Sequence, residues 1–134
     1  MKTKLAGSMA GLLILSAVPM LAHHSFAAEF DNTKKVTLTG TVTKIDWMNP
    51  HIWIYLDVKD EGGKVAKWQC EGGPPNTLTR NGWSKNALKE GDTVTIDGAR
   101  AKDATNTCSS TTVKLPDGRR VFAGSADDSA TSKQ

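Results

Sequence analysis

The chain has no run of like charges, no long apolar run and only two cysteines, Cys70 and Cys108, in 134 residues. Each shortage excludes something. A nucleic-acid binder carries a basic stripe and a domain pI above about 9, whereas here acids and bases are interspersed, so nucleic acid and anionic membrane are not expected as partners. A bilayer-spanning helix needs about 20 apolar residues, and the apolar stretch Leu12–Val18 is shorter. The cysteines lack the CxxC spacing of thiolate metal sites. Nor is there a glycine-rich phosphate loop, an HExxH pair or a Ser-His-Asp context. The acids Asp46, Asp57 and Glu71 are scattered, so spacing nominates no general acid/base pair, and no catalytic residue is assigned.

What is there begins with an export signal. Lys2 and Lys4 make a positive start, Leu12–Val18 an apolar centre, Pro19 a break and Ala22 a small residue for cleavage. Residues 1–22 are therefore expected to be a signal peptide, and the protein to be periplasmic or secreted, with no membrane span after processing. Removing a segment with two lysines and no acid leaves a formal charge of +1. In an oxidising compartment Cys70 and Cys108 are expected to form a disulfide, worth about 3–4 kcal/mol for a loop of this span.

The rest reads as β-structure. Residues 23–33 fit neither strand nor helix; Phe26 and Phe30 are placed to cover a barrel end, and Asn32-Thr33-Lys34 is turn chemistry. From 34 the pattern is strand-like: Val36, Leu38, Gly40 and Val42 alternate, then jump phase to Ile45 and Trp47, which implies a β-bulge near Thr43-Lys44. Asn49-Pro50 is a turn, and His51 opens a second strand. There Ile52, Ile54, Leu56 and Val58 face the core, while His51, Trp53, Tyr55 and Asp57 face outward. Asp60–Gly63 is a hairpin loop leading to a third strand, 64–71, with Trp68 expected in the core. A short helix over 76–82, a further turn from Ser84 to Leu88, and strands near 93–99, 110–115 and 119–123 follow. The domain is expected to end at 124, leaving 125–134 as a disordered tail without apolar side chains. The order predicts an all-β, five- or six-stranded antiparallel OB-like Greek-key barrel with a short helical insert between strands 3 and 4; the alternative is a small open β-sandwich.

His23-His24-Ser25-Phe26, Glu29-Phe30-Asp31, Trp47-x-Asn49-Pro50-His51, Leu56-Asp57-Val58, Gly73-Pro74-Pro75-Asn76, Leu78-x-Arg80-x-Gly82-Trp83 and Leu88-Lys89-x-Gly91-Asp92-x-Val94 together resemble DUF6152, a family of small exported bacterial proteins of unassigned function. The resemblance covers essentially the whole mature chain. It implies a periplasmic OB-like domain, supplies no catalytic residues, and does not include the cysteines.

All three histidines, His23, His24 and His51, lie in the two most specific of those motifs. Cleavage after Ala22 would make His23 the first residue, offering an amine and a ring nitrogen together; one further imidazole, from His51 or His24, would complete a nitrogen set suited to divalent copper. A cut in Ser25-Phe26-Ala27 would remove both N-terminal histidines. Without the free amine, three imidazoles still suit copper or zinc. The plainer role for His51 is to pin its turn by a hydrogen bond. Trp53 and Tyr55 are either packing or a stacking platform for a ligand. Two functions follow: a metal carrier or sensor, or a monomeric interaction domain that binds a protein or small molecule on the Trp53/Tyr55 face without a cofactor.

Overall fold

The computed structural model describes residues 26–124, so the expected signal peptide, His23, His24 and the tail lie outside the described residues. A four-residue helix, α1 (Phe26–Glu29), leads directly into a seventeen-residue strand, β1 (Phe30–Asp46). Then come β2 (Trp53–Lys59), β3 (Val65–Glu71), α2 (Pro75–Arg80), β4 (Thr93–Ala101), β5 (Thr107–Lys114) and β6 (Arg120–Phe122).

Strand β1 is long because it serves two partners. Its first part pairs with β4 and its last part with β2, both antiparallel. At the handover Gly40 lies so close to β2 that a Cβ there would stand 2.6 Å from the Asp57 carbonyl oxygen, so glycine is what lets the two backbones meet. The expected slip is present: the register against β2 shifts between Val42 and Lys44. Asn32-Thr33-Lys34 is a bulge inside β1 rather than a turn before it, for the register against β4 shifts between Asp31 and Lys35. The side chain and amide of Thr33 both donate to Asp31, the local bonding that turn residues favour, here accommodated without ending the strand.

The sheet order is β3-β2-β1-β4-β5-β6, and β3 also pairs with β5. That last pairing is parallel and short: Gln69, Cys70 and Glu71 stand opposite Thr107, Cys108 and Ser109. It closes β1, β2, β3, β5 and β4 into a ring, an OB-like barrel with α2 between the third and fourth strands. The ring is uneven, since β3 is paired with β2 over its whole length but with β5 only at its end. Cys70 and Cys108, both fully buried, form a disulfide at the central pair of this seam.

The core follows the period-two pattern. Ile52, Ile54 and Leu56 are buried, with Val42, Val94, Ile96 and Val113 around them. Trp83 closes one end of this core and donates its indole N–H to the Phe122 carbonyl at 2.8 Å. A second small cluster joins Phe30, Ala99 and Ala101, with the Phe26 ring stacked on Phe30 at 5.5 Å. Trp68 is only half-buried: it packs against the core on one side and lies under Arg100 on the other. The segment from Ser84 to Leu88 holds a hydrogen-bonded turn, with the Ala87 amide donating to Ser84, but no helix.

A candidate binding cleft on the closing seam

The outward face of β2 carries Trp53 and Tyr55 opposite Glu71 and Gln69 of β3. Because β3 continues into the seam with β5, Gln69 stands beside Thr107, and its side-chain N–H donates to the Thr107 hydroxyl at 3.2 Å. An open cleft of about 520 Å³ runs over this place. Its walls are Trp53, Phe30, Ala28 and Ala101, and its polar groups come from Gln69, Thr105, Thr107, Glu29, Lys102 and Asp103. A second cavity of about 280 Å³ shares Gln69, Thr105 and Thr107 with the first and adds Tyr55, Lys67, Trp68 and Asn106. The two make one trough, with Phe30 and Trp53 in the larger half and Tyr55 and Trp68 in the smaller.

The far wall, residues 102–106, is held in shape from within. Arg100 donates to the carbonyls of Thr105 at 3.2 Å and Ala104 at 2.8 Å and lies 5.3 Å from the Trp68 ring centre. Ala104 adopts a left-handed φ of 62°, a conformation that costs an alanine about 1–2 kcal/mol; the Arg100 bond to its carbonyl offsets that. Asp103 accepts from the hydroxyl of Thr105 at 2.7 Å and from its amide at 3.0 Å, and these bonds hold its carboxyl below the usual carboxylate range. The Asn106 carbonyl accepts from the Gln69 amide at 3.0 Å. The loop is thus pre-formed, which lowers the ordering cost of binding.

Charge around the trough is of both signs, and its cations make local bonds. The Lys102 ammonium donates to the Ala27 carbonyl, Lys67 reaches Asp57 at 3.4 Å, and Arg100 is spent on the loop. Tyr55 gives its ring to the trough but turns its hydroxyl to Asp46 at 3.2 Å. Desolvation, with that bond to Asp46, raises the phenol above its ordinary range. Lys44 donates to Asp46 at 2.9 Å and holds that carboxyl low.

His51 precedes β2, half-exposed, with its Nδ1 donating to Glu71 Oε1. The bond ties the start of β2 to the end of β3. His51 walls neither cavity. Among the described residues no group of three His, Cys, Asp or Glu side chains is placed to hold a metal ion; His23 and His24 lie outside them. Also among the described residues, no helix is long and apolar enough to cross a membrane.

Sequence reading found Trp53 and Tyr55 but missed Gln69, Thr105 and Thr107. The disulfide was a partial signal: joining Cys70 to Cys108 brings β3 and β5 together, but only a parallel register sets Gln69 beside Thr107.

Fold and site together define a small OB-like barrel with an aromatic-walled trough laid across its closing seam. The chain belongs to a family of unknown function, DUF6152, whose family model matches residues 11–110. No curated protein and no solved structure matches it.

Proposed function

We propose that the protein is an exported binding module that holds its ligand in the trough between Trp53, Tyr55 and the 102–106 loop. The observation that carries this reading is the pre-formed loop: Arg100, Asp103 and the strained Ala104 maintain a concave wall opposite Trp53. Concave, partly apolar sites with a few fixed polar groups are where small ligands bind. The test is a thermal-shift screen of chemically varied small molecules and oligomers against the exported protein and its Trp53→Ala variant. The reading expects hits whose stabilisation disappears in the variant; hits that survive it would place binding elsewhere and end this reading.

A second reading, a copper or zinc carrier or sensor, rests on the His51–Glu71 bond. With Nδ1 engaged by a carboxylate, Nε2 is the nitrogen left to ligate, as when a carboxylate behind a metal-binding imidazole orients its ring. His23 and His24 would supply the remaining nitrogens. Calorimetry with copper and zinc on correctly processed protein tests it: His51→Ala and an N-terminal extension each weaken uptake more than about tenfold. Binding no tighter than about millimolar refutes it.

A further inference from the structure

We infer that the ligand of the trough is a neutral oligosaccharide of at least two rings. This rests on the trough being the binding site. The OB-like face formed by strands two and three serves either oligonucleotides or oligosaccharides, and these two ligand classes make opposite demands on charge. A nucleic acid strand needs cations along its backbone. Here, among the described residues, no such cationic track exists: Lys102 stands beside the carboxylates of Glu29 and Asp103 in the larger half, Lys67 in the smaller half pairs with Asp57, and Arg100 is turned to the loop carbonyls.

What remains suits a sugar. Gln69, Thr105, Thr107 and Asn106 line the shared floor and the smaller half; beyond the bonds they make to one another, to Asp103 and to Arg100, their amides and hydroxyls keep further donor and acceptor positions of the kind sugar hydroxyls use. The hydroxyls of Thr105 and Thr107 are 3.0 Å apart, and Thr105 is anchored on Asp103. Trp53 and Tyr55 stand two residues apart on one strand, roughly 7 Å along it; Lys44 lies over the Tyr55 ring at 5.1 Å from its centre, which leaves the other face of that ring for a ligand. A pyranose ring has an apolar C–H face and polar edges; two linked rings would lay one face on each aromatic and turn their hydroxyls to the floor. Burial of Trp53 and Tyr55 against the rings excludes water from those floor contacts, which raises their worth.

The experiment is calorimetric and fluorescence titration of the exported protein with cellotriose, chitotriose and maltotriose. Glucose, an octamer of oligothymidylate, spermine and trialanine serve as comparison probes. The inference expects at least one trisaccharide to bind tighter than about 1 mM, at least tenfold tighter than glucose, and to quench tryptophan emission. Trp53→Ala and Gln69→Ala should each weaken it about tenfold or more; Gln69 is exposed, so its variant keeps the core intact if Trp53→Ala does not fold. Trisaccharides failing to bind overturn the inference, as does their binding unchanged in Gln69→Ala. Trp53-dependent binding of oligothymidylate, spermine or trialanine instead overturns the sugar while the trough remains the site. Binding of any probe that ignores both residues removes the trough as well.

Discussion

Replacing both cysteines with alanine tests how the barrel is closed. The bridge joins residues 38 apart in sequence, and the chain-entropy relation gives about 4 kcal/mol for a loop of that length. Single domains of this size have only about 5–15 kcal/mol in all, so the Cys70→Ala/Cys108→Ala protein should still fold but with a large share of its stability gone. The loss should be local as well as global. Only three residue pairs join β3 to β5, whereas β4 is joined to β1 by nine, so the seam is where the ring opens first. Urea denaturation of the oxidised wild type and the double variant measures the first effect as a fall in midpoint, with a somewhat larger denaturant slope because the unbridged unfolded chain exposes more surface. Amide exchange at Gln69, whose N–H bonds to Asn106, measures the second. A loss below about 1 kcal/mol, or unchanged protection at Gln69, would show that the core and not the bridge closes the seam.

Three other outcomes follow from the packing. Gly98→Ala would put a Cβ 2.1 Å from the Ser109 carbonyl oxygen at a bulge between β4 and β5; forced overpacking of this kind costs about 3 kcal/mol or more, visible as a depressed melting temperature. Trp83→Phe shrinks the buried indole to a phenyl ring and leaves the Phe122 carbonyl without its donor, a loss of about 1–3 kcal/mol for the bond to which the cavity adds, read by denaturant unfolding. Asp97 accepts from Thr37, Arg120 and Thr112, and these bonds hold its carboxyl below the ordinary carboxylate range. Its contribution is therefore complete above that range and is lost as pH falls through the depressed value. Stability measured from pH 6 downward should fall less steeply in Asp97→Asn; an identical acid limb would mean the Asp97 bonds add nothing.

Much of the barrel was legible because it rests on local alternation. Ile52, Ile54 and Leu56 are buried as their period requires, the bulge after Val42 was visible as a phase slip, and the disulfide came from compartment and count. Two departures have physical causes. Asn32-Thr33-Lys34 reads as a turn, but the bonding of Thr33 to Asp31 looks the same in a bulge as in a turn. Alternation directs Trp68 to the core, but it stands at the part of β3 that β5 does not reach, and Arg100 covers it in place of a strand. The cleft was half legible for the same reason: Trp53 and Tyr55 share one strand face, while Thr105 and Thr107 reach them only through a parallel pairing that no local pattern encodes.

The most direct measurement is chemical-shift mapping of the isotopically labelled protein titrated with the tightest-binding trisaccharide. The account predicts that the largest shifts fall on the Trp53 indole N–H, the Gln69 side-chain amide and the backbone amides of Thr105 and Thr107. Shifts concentrated elsewhere, around the exposed Met48 or along α2, or an absence of shifts at saturating sugar, would contradict it.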